Sequence, residues 1–317
     1  LGLHLTKASQ IVSGPFGDPI EVQYAYKDDL AVFEIAAITG LEHIPKDKRN
    51  PLTISNRGIG ELLVFLAQKG IRRLMVGVGG SSSNDGGLGL AAGLGYAFFD
   101  YRGEKVEAIG ANLGKIVSFS DQAVPACLRD LDVTIITDVT NCLCDPQGAT
   151  YTFAGQKGLA ETEFAAVDQA MRRFYELVNP AILELQGAGA GGGLAAGLVT
   201  FAAGKIVSGI DAVLDILDFE QHVQKADLVI VGEGRMDKQS LSGKAPVGVA
   251  RRTPSKTPVI AICGSLKDDL PDFPVAHIAA AFSIISRVDS LENTLAQASQ
   301  NLERTAQNIG NLLSLDL

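Results

Sequence analysis

The chain has 317 residues, 46% of them hydrophobic and 20% charged, enough for two ordinary domains each with its own core. Its net charge of −9 argues against a nucleic-acid-binding surface, so an anionic ligand needs positive groups gathered locally. Four scattered cysteines make no disulfide framework and point to a reducing, cytoplasmic setting, and no apolar stretch is long enough for a membrane span.

In chain order, Gln10-Ile11-Val12 leads into the dense turn Gly14-Pro15-Phe16-Gly17-Asp18-Pro19. Residues 20–26 then alternate as a strand, Lys27-Asp28-Asp29 turns, and 30–35 form a third run, so the first third reads as antiparallel hairpins. Residues 56–69 predict an amphipathic helix with Ile59, Leu62, Leu63 and Leu66 on its apolar side. A buried strand at 74–76 runs straight into Gly77-Val78-Gly79-Gly80-Ser81-Ser82-Ser83-Asn84-Asp85-Gly86-Gly87, and a helix follows over 88–94. Short strands are expected at 96–100 and 133–137, and a helical pattern over 161–185 is broken near Pro180. In the last third, the continuous apolar runs 228–231, 259–262 and 279–284 alternate with helices at 245–252 and 290–313, which signals a parallel sheet covered on both faces. We therefore expect an α/β protein of two domains, 10–204 and 205–317, with the boundary near residue 205.

Four polar clusters can carry chemistry. In the loop 77–87, glycines allow close main-chain approach to a ligand and the following helix offers its positive end. Ser82 stands where a dinucleotide G-x-G-x-x-G needs glycine, and no lysine follows as in a phosphate-binding P-loop, so the chemistry is read from the residues. Asp85 can take a proton from a hydroxyl or hold a magnesium ion, while Ser82, Ser83 and Asn84 can bind substrate oxygens. The second cluster, Gly232-Glu233-Gly234-Arg235-Met236-Asp237, ends a buried strand, where open α/β sheets bind ligands. There Arg235 can grip a carboxylate or phosphate, Lys244 opens the next helix, and a plain Arg235–Asp237 ion pair is the structural alternative.

Third is Thr137-Asp138-Val139-Thr140-Asn141, again at a strand end, with Gln156-Lys157-Gly158 following; Cys142 and Cys144 lack the further ligands a metal centre needs. Fourth is Gly187-Ala188-Gly189-Ala190-Gly191-Gly192-Gly193, which suits a ligand approach, a hinge or tight helix packing alike. The four histidines lie outside all of these, against a serine–histidine hydrolase.

The loop 77–87 resembles the signature loop of the type I glycerate kinases. So do Arg49-Asn50-Pro51-Leu52 with Gly58-Ile59-Gly60-Glu61-Leu62, the 187–193 glycine run, residues 232–237 through Gly243-Lys244-Ala245-Pro246, and Cys263-Gly264-Ser265-Leu266, in the family's order. The resemblance spans the whole chain. It implies ATP- and Mg²⁺-dependent phosphorylation of D-glycerate by in-line transfer, giving 2-phosphoglycerate, with 3-phosphoglycerate the alternative product in this kinase class. It further implies a flavodoxin-like parallel-sheet domain built from the chain's two ends and an inserted restriction-endonuclease-like mixed α/β domain. The family's opening strands, with an Asp-Ser-Phe-Lys and an Asp-Gly-Gly-Glu-Gly-Thr segment, do not precede Leu1, so the first domain is expected to lack them and activity to need them.

Within that reading Asp85, Arg235 and Lys244 are the catalytic candidates, with Arg235 on the glycerate carboxylate and Lys244 at the phosphates. Gly79, Gly80, Ser81, Ser82, Ser83, Asn84, Gly191, Gly192, Gly232 and Gly234 would face substrate or phosphate, and Asp138, Glu233 and Asp237 the metal. The partner is a small molecule, and a homo-oligomer is left open. A nicotinamide-dependent hydroxy-acid dehydrogenase, with Asp100 on a ribose, is the alternative enzyme, and a non-catalytic carboxylate or nucleotide sensor the third reading.

Overall fold

The computed structural model describes residues 5–315 apart from 239 and 243, and the chain divides into two compact units, Leu1–Gly209 and Ile210–Leu317. Both are α/β. The division falls a few residues beyond the expected boundary, because residues 205–207 pair with the first sheet.

The first unit opens with strands β1 (Thr6–Ser13), β2 (Pro19–Lys27) and β3 (Leu30–Glu34), which pair antiparallel as the alternation and turn residues require. A short helix α1 (Ala36–Thr39) and the amphipathic α2 (Arg57–Gln68) lead to β4 (Arg73–Gly77), then α3 (Leu88–Leu94). A separate antiparallel ribbon follows, β5 (Ala97–Phe99) with β6 (Ser118–Ser120), and the main sheet resumes with β7 (Asp132–Ile136). Helices α4 (Phe164–Val178) and α5 (Leu194–Ala202) and strand β8 (Lys205–Val207) complete the unit. Pro180 stops α4, and a 3-10 turn over Pro180–Glu184 takes its place.

The sheet order is β1-β2-β3-β4-β7-β8, antiparallel at the hairpins and parallel from β3 onward. Ile59, Leu62, Leu63 and Leu66 of α2 share one core with Leu74, Val76, Val133 and Ile135 of the parallel strands, all essentially inaccessible. Each such side chain contributes about 1.5–3 kcal/mol of burial. The parallel half sends its carboxyl ends to one edge, which places loop 77–87 next to Thr137 and Val139.

The second unit holds α6 (Gly209–Ile216), α7 (Phe219–Val223), β9 (Val229–Met236), α8 (Ala245–Arg252), β10 (Val259–Leu266), β11 (Ala280–Ser283), α9 (Leu291–Ala296) and α10 (Ala298–Leu313). Its three strands are parallel in the order β11-β10-β9. Val231, Val259 and Ala261 pack with Val247 and Ala250 of α8 on one face, while Ile260 and Ile262 meet Ile309 of α10 on the other. Burial on both faces is why these strands read as continuous apolar runs.

Helices α2 and α3 cross at glycines. A Cβ on Gly60 would fall against the Leu90 carbonyl, and one on Gly93 against the Arg57 carbonyl. Gly93→Ala should therefore destabilise the protein by about 1–3 kcal/mol, the usual cost of overpacking, read as a lower urea midpoint at unchanged slope.

Candidate active site

Loop 77–87 leaves the end of β4 and is held from below by a buried carboxylate. Asp85 is 0% exposed; its Oδ1 accepts from Asn56 Nδ2 (2.7 Å) and the Gly87 amide (3.0 Å), and its Oδ2 from the Gly89 amide (3.0 Å). The first amides of α3 are thus consumed internally and are not offered to a ligand. Burial pushes the Asp85 carboxyl above the usual carboxylate range, opposed by these three hydrogen bonds. Asn56 stands at the start of α2 but does not cap it. Its amide also donates to Ser83 Oγ (2.7 Å) and its carbonyl accepts from Thr39 Oγ1 (3.0 Å), tying α1, α2 and the loop together.

Ser82 is folded inward, its amide and hydroxyl both donating to the Thr39 carbonyl (2.9 and 2.7 Å). Ser81 and Ser83 share a hydroxyl contact of 3.0 Å, and Asn84 Nδ2 donates to Thr150 Oγ1 (3.0 Å) while its buried Oδ1 accepts nothing. From the other side, the 187–193 turn meets the loop through main chain alone. Gly191, Gly192 and Gly193 all have positive φ, and the Gly192 carbonyl accepts the Gly86 amide at 3.1 Å.

Above the loop lies a cavity of 310 Å³ walled by Gly79, Gly80 and Ser81, by Thr137 and by Gly191, with Lys157 among its lining residues. Lys157 is only 3% exposed, and its ammonium donates to the Ser83 carbonyl at 2.7 Å. Burial lowers its pKa to about 7, with the Asp85 charge pulling the other way.

In the second unit, Gly232, Gly234 and Arg235 are exposed at the carboxyl end of β9. Asp237 Oδ1 accepts from the Ser240 amide (3.0 Å) and hydroxyl (3.2 Å) and lies 3.8 Å from Lys244 Nζ, so its ion pair is with Lys244 and not with Arg235. These contacts hold its carboxyl below the usual range, the Ser240 amide foremost. Glu233 keeps one buried oxygen, Oε1, without a hydrogen-bond partner.

The chain matches the glycerate kinase family model over residues 2–314. It is 54% identical over 304 residues to a glycerate kinase of Neisseria meningitidis serogroup B, covering 96% of this chain and 82% of that one. The chain belongs to the glycerate kinase family. It is also 34% identical over 313 residues to a glycerate 2-kinase of Escherichia coli K12, covering 96% and 82% of the two chains. A crystal structure from Salmonella typhimurium LT2, of a protein provisionally named glycerate kinase 2, superimposes with a TM-score of 0.79 at 33% identity, covering 98% of this chain and 83% of that one.

Among the candidates, Gly79, Gly80, Ser81 and Gly191 wall one cavity, whereas Ser82, Ser83, Asn84 and Gly192 are buried beneath it. Asp85, expected at the substrate hydroxyl, has its carboxylate enclosed and serves here as the loop's anchor. Asp138 is exposed past β7, with Oδ1 accepting the Gly209 amide at 2.9 Å. Cys144 is buried with its thiol pushed up to about 12 by desolvation, as suits an ordinary core cysteine. Asn56 and Lys157 were missed as site residues, because their partners lie 29 and 74 residues away in sequence.

Removing the anchor strands three buried N–H donors, each worth about 1–3 kcal/mol when unpaired. Asp85→Ala should cost at least about 3 kcal/mol in chemical denaturation and Asp85→Asn distinctly less, since one amide oxygen still accepts.

Proposed function

We propose that the protein transfers the γ-phosphoryl group of ATP to a hydroxyl of D-glycerate, giving 2-phosphoglycerate, in the cytoplasm. The observation that carries this reading is the 310 Å³ cavity walled by the Gly79–Gly80–Ser81 main chain, in a chain of the glycerate kinase family. That volume is at the small end for organic ligands and suits a three-carbon acid better than a whole nucleotide. The Escherichia coli relative named as a 2-kinase supports the position of transfer.

In-line phosphoryl transfer asks the protein for positioning and charge neutralisation more than for covalent chemistry. The loop is built for the first. Ser82, Ser83 and Gly87 are held by Thr39, Asn56 and Asp85, a fixed base on which Ser81 and the Gly79–Gly80 main chain meet substrate. In the second unit Arg235 and Lys244 are the cations for phosphate oxygens, and the bare main chain at Gly232 and Gly234 permits close approach. Magnesium, when bound with the nucleotide, neutralises charge on the β- and γ-phosphates. Glu233 fits it best, because its buried Oε1 has no other partner; Asp138 and Asp237 each already have an oxygen engaged. Among the described residues no three His, Cys, Asp or Glu gather into a cage, which suits an ion held chiefly by phosphates.

The dehydrogenase alternative requires an acid at the end of a parallel strand beside the loop's own. Asp100 instead follows β5 in the separate ribbon, and its Oδ1 accepts the amides of Arg102 (2.8 Å) and Glu104 (3.0 Å) in a local turn.

A coupled ADP-release assay on the full-length protein with MgATP should show turnover only when D-glycerate is present, with ³¹P NMR identifying the 2-phosphate. Glycerate binding with no ADP release would favour the sensor, and NADH binding the dehydrogenase. Glu233→Gln should raise the magnesium concentration for half-maximal rate by about tenfold or more, with glycerate KM little changed.

A further inference from the structure

Resting on the kinase reading, one group in the first unit has no role yet. Lys157 ends a wide π-helical turn, Thr150–Ala154, that tightens into a 3-10 turn, Gly155–Lys157, and stops at Gly158 with a φ of +104°. A Cβ on Gly158 would fall against the Arg49 carbonyl, so the chain here is clamped and the lysine's origin is fixed. Its side chain runs inward to a point where Gly192 also arrives. A Cβ on Gly192 would lie 3.0 Å from Lys157 Nζ and 3.0 Å from Asn84 Cα, and against the Ser83 carbonyl.

Lys157 is thus buried, and among the described residues its ammonium has one acceptor, the Ser83 carbonyl, where an ammonium has three protons to give. It nevertheless lines the cavity, and the amides of Gly79, Gly80 and Ser81 on the cavity wall donate to no described carbonyl. A cation with unused donors, in a small cavity beside three unused amides, is a receptor for a compact anion. At neutral pH D-glycerate carries one such group.

We propose that Lys157 binds the carboxylate of glycerate, together with the Gly79–Ser81 amides. This moves Arg235 from the carboxylate, where the sequence put it, to the phosphates. A purely structural strut to Ser83 explains the one hydrogen bond but neither the cavity position nor the unused donors.

The pH behaviour follows. The charged or titratable groups on the surrounding elements are Asp85 below the loop, Tyr175 behind it donating to the Gly86 carbonyl, Asp138 beyond Thr137, and Glu42, His43 and Arg49 on the Leu41 side. Of these, Asp85 is the one that acts on Lys157. With a free-state pKa of about 7, the lysine is charged below that value and sheds its proton above it. A carboxylate favours the charged form, so binding takes up a proton, and affinity is full below pH 7 and falls above it by about tenfold per pH unit.

The test is calorimetric titration of D-glycerate into the full-length protein without nucleotide, from pH 6 to 9, in buffers of differing ionisation enthalpy. Affinity weakening above about pH 7 with proton uptake is expected, and a flat profile overturns the proposal without folding of any variant being at issue. Lys157→Met should then raise glycerate KM by about tenfold or more, abolish the pH limb and leave ATP KM unchanged. A folded variant with glycerate KM within about threefold of the parent overturns it, as does a loss confined to ATP KM or kcat, which would assign the lysine to the phosphoryl group. In all of those cases the parent still phosphorylates glycerate and the kinase reading stands. A parent protein that neither binds nor phosphorylates glycerate overturns both.

Discussion

The first unit depends on main chain touching main chain. Gly87 and Gly197 face each other so closely that a Cβ on Gly87 would sit 2.6 Å from Gly197 Cα, and one on Gly193 would sit 2.7 Å from Gly86 Cα. No side chain fits between α5 and the loop that precedes α3. Because the two glycine segments close to this distance, the Ser83 carbonyl is presented to Lys157 and the space under the loop excludes water. Asp85 is then left with protein donors alone, which is what fixes the loop above it. Packing, electrostatics and cavity shape all follow from that contact.

Water exclusion makes the buried carboxyl of Asp85 and ammonium of Lys157 expensive. Asp85 is compensated by three hydrogen bonds and Lys157 by one, so the lysine is the weaker side of the account. Its folded pKa of about 7 lies below the unfolded value of 10.5. Between the two the unfolded chain holds a proton that the folded one has shed. Stability therefore rises with pH across that window, and below about pH 7 the lysine's full cost is present. A lysine there costs stability in the empty protein. A carboxylate bound at the cavity would offset that cost, in keeping with the proposed role of Lys157.

What the sequence revealed followed locality. The hairpins β1–β3, helix α2 with Ile59 and Leu62, and the buried strands β9 to β11 are written in periods of two and 3.6 residues and in unbroken apolar runs, so they could be read directly. Loop 77–87 announced itself through glycines and hydroxyls, but not which face its polar atoms take. Ser82 and Asp85 turn inward because Thr39, Asn56 and the amides of Gly87 and Gly89 claim them. Of these only the last two are neighbours in the chain; an acid just before a short helix was the legible hint of an anchor. Lys157 was invisible as a site residue because its neighbourhood is assembled from residues near 40, 80, 137 and 190. β8 was not legible, because three residues carry too little pattern to mark a strand or choose its sheet.

A buried lysine and an exposed arginine discriminate differently. At the tip of β9 Arg235 stays solvated, so losing a partner there costs little and selects weakly. In the cavity beside Gly79 and Ser81, an uncharged three-carbon alcohol would leave the buried Lys157 without an anionic partner. Sites built to hydrogen-bond a group reject analogues lacking it far more strongly than apolar pockets reject a missing methylene. The deeper group is therefore the one that can make an acid, rather than any small polyol, the substrate. The same burial holds Lys157 close to its titration midpoint at neutral pH, so an arriving carboxylate draws it fully into the charged form.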